Sequence, residues 1–239
     1  MLILVAILDI RSREVPDKVW LPFGALGIIL IAYDFLIGTP GFDPTLIVLS
    51  VVITGIIGFG AYYLGFYGGA DAKALLTLAL LMPLYPNTTF IHELTGLDTL
   101  SRSSAIHEFT ALSTLSNSLL LTIAVPIFMF IMNVRSIIRG RMIFSGFESQ
   151  SLASKILVMF LGYRVKSPDG FLFKLEKDYD GVRKFDFTVN RLDDEYARGE
   201  DVWVTPGLPL LVFIALGFIS LLMFGDILFI LVEMFITSF

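Results

Sequence analysis

Two aspartates of this chain stand beside apolar segments, where an ionisable side chain is costly. Asp9 follows an apolar octet at residues 1–8, and Asp71 opens another apolar segment directly after Gly68 and Gly69. Two carboxylates held close together share one proton, so the ionised member can take a proton from water while the protonated member polarises a scissile carbonyl. If the fold brings both side chains to one place, they can perform aspartic-protease chemistry.

Asp71 alone has a simpler interpretation as part of a helix cap. A carboxylate at the start of a helix accepts hydrogen bonds from backbone N–H groups and lies at the positive end of the helix dipole. Gly68 and Gly69 allow backbone dihedrals that other residues resist, and we expect them to let the segment before Asp71 move. Taken by itself the cap is the favoured interpretation, and only a second carboxylate makes catalysis the better one.

The composition indicates a membrane protein that crosses the bilayer several times. Of its 239 residues 56% are hydrophobic and 16% are charged, and the chain has 22 Phe and a mean hydropathy of +0.81. An ordinary soluble domain is much less apolar. The chain contains no cysteine, which excludes disulfides, cysteine nucleophiles and cysteine-ligated zinc.

Six apolar segments account for the membrane part of the chain. They are residues 1–8, 21–37, 46–66, 72–84, 115–134 and 206–224. A span needs roughly 20 apolar residues, so the first segment is too short, and we expect the natural first helix to begin before residue 1. Between the last two segments the chain is polar, with a predicted helix at 152–161 and a β-hairpin that pairs 171–175 with 185–189 around a turn at 178–181.

The predicted fold is a mainly α membrane protein with six transmembrane helices and a small α+β cytosolic domain before the last helix. Residues 1–134 form the membrane domain with helices one to five and both aspartates, residues 135–205 the soluble domain, and residues 206–239 the sixth helix and tail. If the first helix runs from the outer to the cytosolic side of the membrane, Arg102 is the only one of the 17 Lys and Arg on the outer side. Both aspartates then lie at the cytosolic edge of the membrane.

The sequences around the two aspartates resemble a known protease family. The first motif, Asp-Ile-Arg-Ser-Arg-Glu-Val-Pro-Asp at residues 9–17, resembles the first motif of type IV prepilin peptidases and archaeal preflagellin peptidases. The second motif, Gly-Gly-Ala-Asp-Ala-Lys-Ala-Leu at residues 68–75, closely resembles their second motif. Members of this family are six-helix membrane aspartic proteases of the GxGD type. Ala70 stands where the strict pattern has its second glycine, a departure already usual among prepilin peptidases.

This resemblance implies roles for the matching residues. Asp9 and Asp71 would be the catalytic pair. The supporting motif residues would be Pro16, Gly68, Gly69, Ala70 and Lys73. Bacterial prepilin peptidases often carry a zinc-bearing cysteine domain and an N-methyltransferase activity; because this chain has no cysteine, we expect no metal, no other cofactor and no methylation.

The implied substrate is a preflagellin or prepilin-like protein with a class III signal peptide, in which a short basic leader precedes a hydrophobic helix. Cleavage would take place at the cytosolic face of the plasma membrane, with membrane lipids as the other partners and no nucleic acid. An acidic group in the soluble domain could hold the basic leader, although a solvated charged surface is the favoured interpretation. These acidic residues are Asp193, Asp194, Glu195, Glu200 and Asp201.

Other functions stay open at this point. Acidic residues at membrane depth also line cation and proton pathways, but transport sites tend to lie near the midplane between inverted repeats, and the hydropathy pattern shows no repeat. An inactive scaffold of the same fold is a further alternative. His92 and His107 lack the ligand spacing of a zinc-binding helix. Asp226 and Glu233, in the apolar tail, are predicted to be interfacial groups.

Overall fold

The computed structural model describes residues 1–39, 41–85, 109–179, 181–187 and 196–237. The chain divides into two compact units, one formed by Met1–Leu121 with Pro209–Phe239 and the other by Thr122–Leu208. The domain boundaries predicted from the sequence divide the chain by its placement in a membrane. They stay predictions, because contacts within the chain do not report that placement.

The first unit is built from helices, and the apolar segments of the sequence form them. Their bounds are α1 Leu2–Ser12, α2 Trp20–Ile37, α3 Pro44–Leu64, α4 Gly69–Leu81, α5 Thr110–Thr122, α8 Leu210–Phe224 and α9 Ile227–Thr237, with a short 3-10 turn at Asp17–Val19 before α2. The second unit contributes α6 Ala124–Ile138 and α7 Leu152–Leu161. Asp43 caps α3 by accepting the N–H groups of Thr45 and Leu46, and α3 ends at Gly65, whose φ of 86° lies in the left-handed region.

Three helical segments in the described residues are long and apolar enough to cross a membrane. They are Asp17–Ile37, Pro44–Leu64 and Thr110–Ile138, and the bent pair α8 and α9 makes a fourth if it is one span. The predicted count of six is therefore not reached by helix length and hydropathy. The two segments that fall short are α1 and α4, with 11 and 13 residues.

Helix α4 lies between several other helices and is buried along most of its length. It packs against α2 and α3 and also contacts α8. The contact with α2 is close: a Cβ atom on Gly27 would lie 2.6 Å from the carbonyl carbon of Leu80. Beyond the end of α4, the Ser50 hydroxyl of α3 donates a 2.8 Å hydrogen bond to the carbonyl of Pro83. These contacts fix the helix that carries Asp71.

The last apolar segment is broken at Gly225 and Asp226, where α8 and α9 meet at an angle of 56°. The break leaves backbone groups without helical partners, among them the Gly225 carbonyl and the Ile227 N–H. The Asn117 side chain of α5 donates a hydrogen bond to the first and accepts one from the second, each at 2.9 Å. Asp226 accepts the N–H of Phe229 at 3.1 Å and so caps α9. This acidic residue has a structural role in the helix break.

The second unit contains a three-stranded and a two-stranded antiparallel sheet. The strands are β1 Tyr163–Val165, β2 Leu172–Lys174, β3 Glu176–Tyr179, β4 Val182–Phe185 and β5 Val202–Pro206. The larger sheet has the order β1-β5-β2, with Tyr163 opposite Val204 and Phe173 opposite Thr205, and β3 pairs with β4 in the smaller one. The helix predicted at residues 152–161 is confirmed as α7.

The predicted hairpin has the right turn but the wrong strands. The turn near residue 180 joins β3 to β4, whereas the prediction paired 171–175 with 185–189. Residues 188–189 lie outside the described part of the chain. The first predicted strand instead pairs with β5, and the Leu175 N–H continues toward β5 with a 2.9 Å bond to the Trp203 carbonyl. The alternation of apolar residues correctly predicted strand β2. The hairpin formed by β3 and β4 is rich in charged residues and has no such alternation, so the sequence pattern did not predict it.

Trp203 on β5 is the centre of the second unit's core. It is fully buried, stacks on Phe144 with 5.7 Å between ring centroids, and donates its indole N–H to the carbonyl of Ile143 at 3.2 Å. Asn133 of α6 donates hydrogen bonds to the carbonyls of Met159 and Gly162, which ties α6 to the end of α7.

Candidate active site

Asp9 lies in the last turn of α1 and is buried, with 9% of its surface exposed. The helix ends at Arg13, which adopts a left-handed φ of 57° and donates its backbone N–H to the Asp9 carbonyl at 3.1 Å. The Arg13 guanidinium lies close enough to interact electrostatically with the Asp9 carboxyl group. The first motif therefore provides a buried carboxylate and a nearby positive charge within one helix terminus.

The start of α8 provides a second contact to Asp9. Helices α1 and α8 pack against each other, and the backbone N–H of Leu211, in the first turn of α8, interacts with the Asp9 carboxyl group. A helix N-terminus carries a partial positive charge and exposed N–H groups, which stabilise a nearby anion. Asp9 is held by groups that are more than 200 residues apart in the sequence.

Asp71 lies in the first turn of α4 and is likewise buried, with 8% of its surface exposed. Its carboxylate accepts the backbone N–H of Gly68 at 2.9 Å, so the side chain folds back onto the start of its own helix. This bond satisfies one of the free N–H groups there, as the helix-cap interpretation predicts. The Asp71 backbone N–H also interacts with this carboxyl group, so the start of α4 holds the side chain through two backbone groups.

The glycines before Asp71 serve close packing. Gly68 has a φ of −78° and a ψ of 160°, and neither it nor Gly69 is among the residues with a positive φ. Neither glycine therefore uses a backbone conformation that favours glycine, and the expected movement of the segment before Asp71 stays a prediction. A Cβ atom on Gly68 would lie 3.3 Å from the Asp71 carboxylate, and one on Gly69 would lie 3.4 Å from the ring of Tyr62. Ala70 packs against the buried core of the first unit.

The two aspartates belong to the same unit, and their carboxyl groups are close enough to interact electrostatically. Both are buried among helices: a continuous cluster of core residues, including Val5, Leu75 and Ile214, joins α1, α4 and α8. The structure thus brings together two acidic side chains that are 62 positions apart in the sequence. If the two carboxyl groups come within hydrogen-bond reach of each other, they can hold one proton between them.

An ion pair connects the two motifs. The Lys73 ammonium lies 2.5 Å from a carboxylate oxygen of Asp17, with 38% of the lysine and 80% of the aspartate side chain exposed. Pro16 precedes the 3-10 turn that positions Asp17, and its carbonyl accepts the N–H of Val19 at 3.0 Å. The family resemblance implies supporting roles for Pro16 and Lys73 but none for Asp17. Its position at the end of the first motif was the available signal.

No group of three His, Cys, Asp or Glu side chains in the described ranges is placed to hold a metal ion. Both histidines, His92 and His107, lie outside those ranges. Three of the five acidic residues proposed for leader binding, Asp193, Asp194 and Glu195, lie outside them as well. Of the acidic residues considered for leader binding, the structure describes Glu200 and Asp201, and Asp201 forms an ion pair with Arg164.

Comparison with known proteins gives matches along almost the whole chain. A family model described as the type IV leader peptidase family matches residues 1–133, and one described as the archaeal peptidase A24 C-terminus, type II, matches residues 154–227. Similar curated proteins include the preflagellin peptidase of Methanococcus voltae, 29% identical over 94% of this chain and 92% of the relative. The preflagellin peptidase of Methanocaldococcus jannaschii is 26% identical over 94% of this chain and 91% of the relative. The transporter alternative finds no support in these relatives.

Proposed function

Because this chain belongs to the type IV leader peptidase family and is therefore a protease, we propose that it removes the basic leader from preflagellins or related prepilin-like proteins. Asp9 and Asp71 are its proposed catalytic residues. One observation carries this assignment: two buried carboxyl groups interact within one helical unit, each beside a backbone N–H at a helix start. The named relatives, which process preflagellins according to their names, support the substrate class.

The proposed reaction is direct hydrolysis by a water molecule between the two carboxyl groups. The ionised carboxylate takes a proton from water as the water oxygen attacks the scissile carbonyl carbon, and the protonated carboxyl donates its proton to the carbonyl oxygen. The tetrahedral intermediate then collapses, the C–N bond breaks, and the leaving amine takes up a proton from the carboxyl that received one. As the new C=O bond forms, a hydroxyl of the intermediate returns its proton to the carboxylate that had protonated the carbonyl oxygen. Neither aspartate is consumed, and the pair returns to its singly protonated state.

The proposed position of the site is the cytosolic edge of the plasma membrane. The distribution of Lys and Arg supports it, because Arg102 alone falls outside the loops assigned to the cytosol. We also propose that α1 and α4 are embedded with the four candidate spans, which makes six membrane segments. At about 1.5 Å per residue, α1 and α4 reach roughly 16 and 20 Å, less than the roughly 30 Å hydrocarbon core, so the described helices would cross it in part.

A cleavage assay tests the substrate assignment. The purified full chain in detergent is mixed with a preflagellin that keeps its leader, and the products are measured by mass spectrometry. We expect a single cut between the basic leader and the hydrophobic helix. A matched substrate with the leader Lys and Arg changed to Gln should be cut more slowly. Equal cleavage of both substrates, or no product from the first, would contradict the proposal.

We predict that the Asp17–Lys73 ion pair positions the two aspartates relative to each other. Asp17→Lys and Lys73→Asp should each lower kcat about fivefold, because an exposed pair contributes up to about 1 kcal/mol. The double variant restores the opposite charges in reversed order and should recover most of the rate. Initial rates at saturating substrate measure this. If the double variant is as slow as the product of the single effects, the two charges act independently and the positioning role is wrong.

A further inference from the structure

The second unit contains a cavity of about 620 Å³ at the end of α6, away from the two aspartates in the sequence. Three sides define it: the last turns of α6, the turn that follows α6, and strand β1 with the residue after it. Its polar lining residues include Asn133, Ser136, Arg141, Arg164, Lys166 and Asp201. All of them belong to the second unit, so the cavity is complete within that unit.

Arg164 forms a fixed wall of this cavity. Its Nη1 donates hydrogen bonds to the carbonyls of Ile143 and Ser145, both at 2.8 Å, and its Nε and Nη2 donate to the two carboxylate oxygens of Asp201. These bonds from Arg164 hold the pKa of Asp201 below its usual value. Asp201 is therefore ionised at neutral pH, and its charge compensates Arg164.

Two positive charges remain once Arg164 and Asp201 are paired. Arg141 and Lys166 both line the cavity and are exposed, and in the part of the chain that the structure describes neither side chain forms a hydrogen bond or salt bridge, although Lys166 also attracts Asp201 electrostatically. The cavity therefore has a net positive lining with free donors at its mouth. Guanidinium and ammonium groups are suited to a phosphate.

Part of the remaining lining is apolar and continues from a membrane span. Met132 and Met142 line the cavity, and 85% of Met142 is exposed. The candidate span Thr110–Ile138 ends at this point, because Met132 and Ser136 lie in its last two turns. A ligand that matches both the cationic and the apolar lining has an anionic phosphate, which contacts the cations, and an apolar tail, which lies against the side of α6.

We propose that this cavity binds the phosphate headgroup of an anionic membrane lipid. Arg141 and Lys166 contact the phosphate, Arg164 forms the wall behind it, and the lipid tail lies along α6. The lipid holds the second unit against the membrane surface next to the span. This proposal does not depend on the proteolytic function, because none of these residues belongs to the proposed catalytic pair or its motifs.

Binding of short-chain lipids to the full chain in detergent tests the proposal. Native mass spectrometry compares dihexanoyl phosphatidylglycerol with dihexanoyl phosphatidylcholine and with inorganic phosphate. We expect the anionic lipid to bind most tightly. The double variant Arg141→Gln with Lys166→Gln should bind it about thirtyfold more weakly, since each of the two lost cations near a membrane surface contributes on the order of 1 kcal/mol.

A control variant with the same change in charge separates the cavity from general surface attraction. Arg135→Gln with Arg139→Gln removes two exposed cations from the end of α6 that do not line the cavity, and it should retain most of the affinity. An equal loss in both double variants would overturn the proposal, as would equal binding of inorganic phosphate and the anionic lipid. Thermal unfolding of each variant in detergent shows that the chain is folded in every comparison.

Discussion

Changing Asp71 to Asn, or Asp9 to Asn, is expected to lower the rate of leader cleavage by a factor on the order of 10³ or more. Each amide is neutral and cannot exchange the proton that the mechanism passes between the two carboxyl groups, and losing one general acid or base typically costs 10²–10⁴-fold. Because each carboxylate is needed in the same step, the double variant should be little slower than either single variant. Single-turnover rates with a leader-bearing substrate measure these effects.

The Asn variants are chosen because they preserve the fold. The side-chain oxygen of Asn at position 71 can still accept the Gly68 N–H, which an Ala would lose. Asp226→Asn is the matched control: this acidic residue also caps a helix in an apolar segment, and its variant should cleave at the normal rate. If either Asp9→Asn or Asp71→Asn retained near-normal turnover while folded, the catalytic pair would be wrong.

Gly27→Ala is expected to have the second large effect, through the position of α4. The added Cβ atom would lie 2.6 Å from the carbonyl carbon of Leu80 and 2.7 Å from its oxygen, and backbone atoms of a helix cannot yield as a flexible side chain does. Helix α4 must move away from α2, which costs about 1–3 kcal/mol of stability and displaces Asp71. We therefore expect a lower unfolding temperature in detergent and a loss of cleavage rate together.

Gly24→Ala provides the control on the same helix. It lies one turn earlier on α2, and a Cβ atom there would meet nothing within 4 Å. Since Ala favours a helix more than Gly does, this variant should unfold at the same temperature or slightly higher and cleave normally. Equal destabilisation by both changes would show that glycine flexibility in α2, rather than the contact with Leu80, is what matters.

The sequence predicts the helices of this protein well because hydropathy reports them directly. The segments predicted at 21–37 and 206–224 correspond closely to α2 and α8, and the predicted helix at 152–161 corresponds to α7. The two aspartates could also be selected from the sequence, because an acidic residue beside an apolar segment is conspicuous. The resemblance of both flanking motifs to one protease family then indicated that Asp9 and Asp71 act together, which hydropathy alone could not indicate.

The features that the sequence did not predict depend on contacts between distant residues. The break between α8 and α9 is stabilised by Asn117, a residue of another helix, and the apolar run around it gives no sign of the bend. The partner of β2 is β5, about 30 positions away, so a local pattern favoured the nearer strand. Asp17 is exposed and ordinary in the sequence, and only the packing of the chain brings it to Lys73.

The contact between Asp9 and the start of α8 has a consequence for the order of biosynthesis. The ribosome makes Asp9 more than 200 residues before it makes Leu211. A nascent chain that already contains both aspartates still lacks the helix terminus that holds the first of them and the surface on which α1 packs. The proposed catalytic site is therefore incomplete until the start of α8 has been made, so a nascent chain that stops before Leu211 should not be an active peptidase.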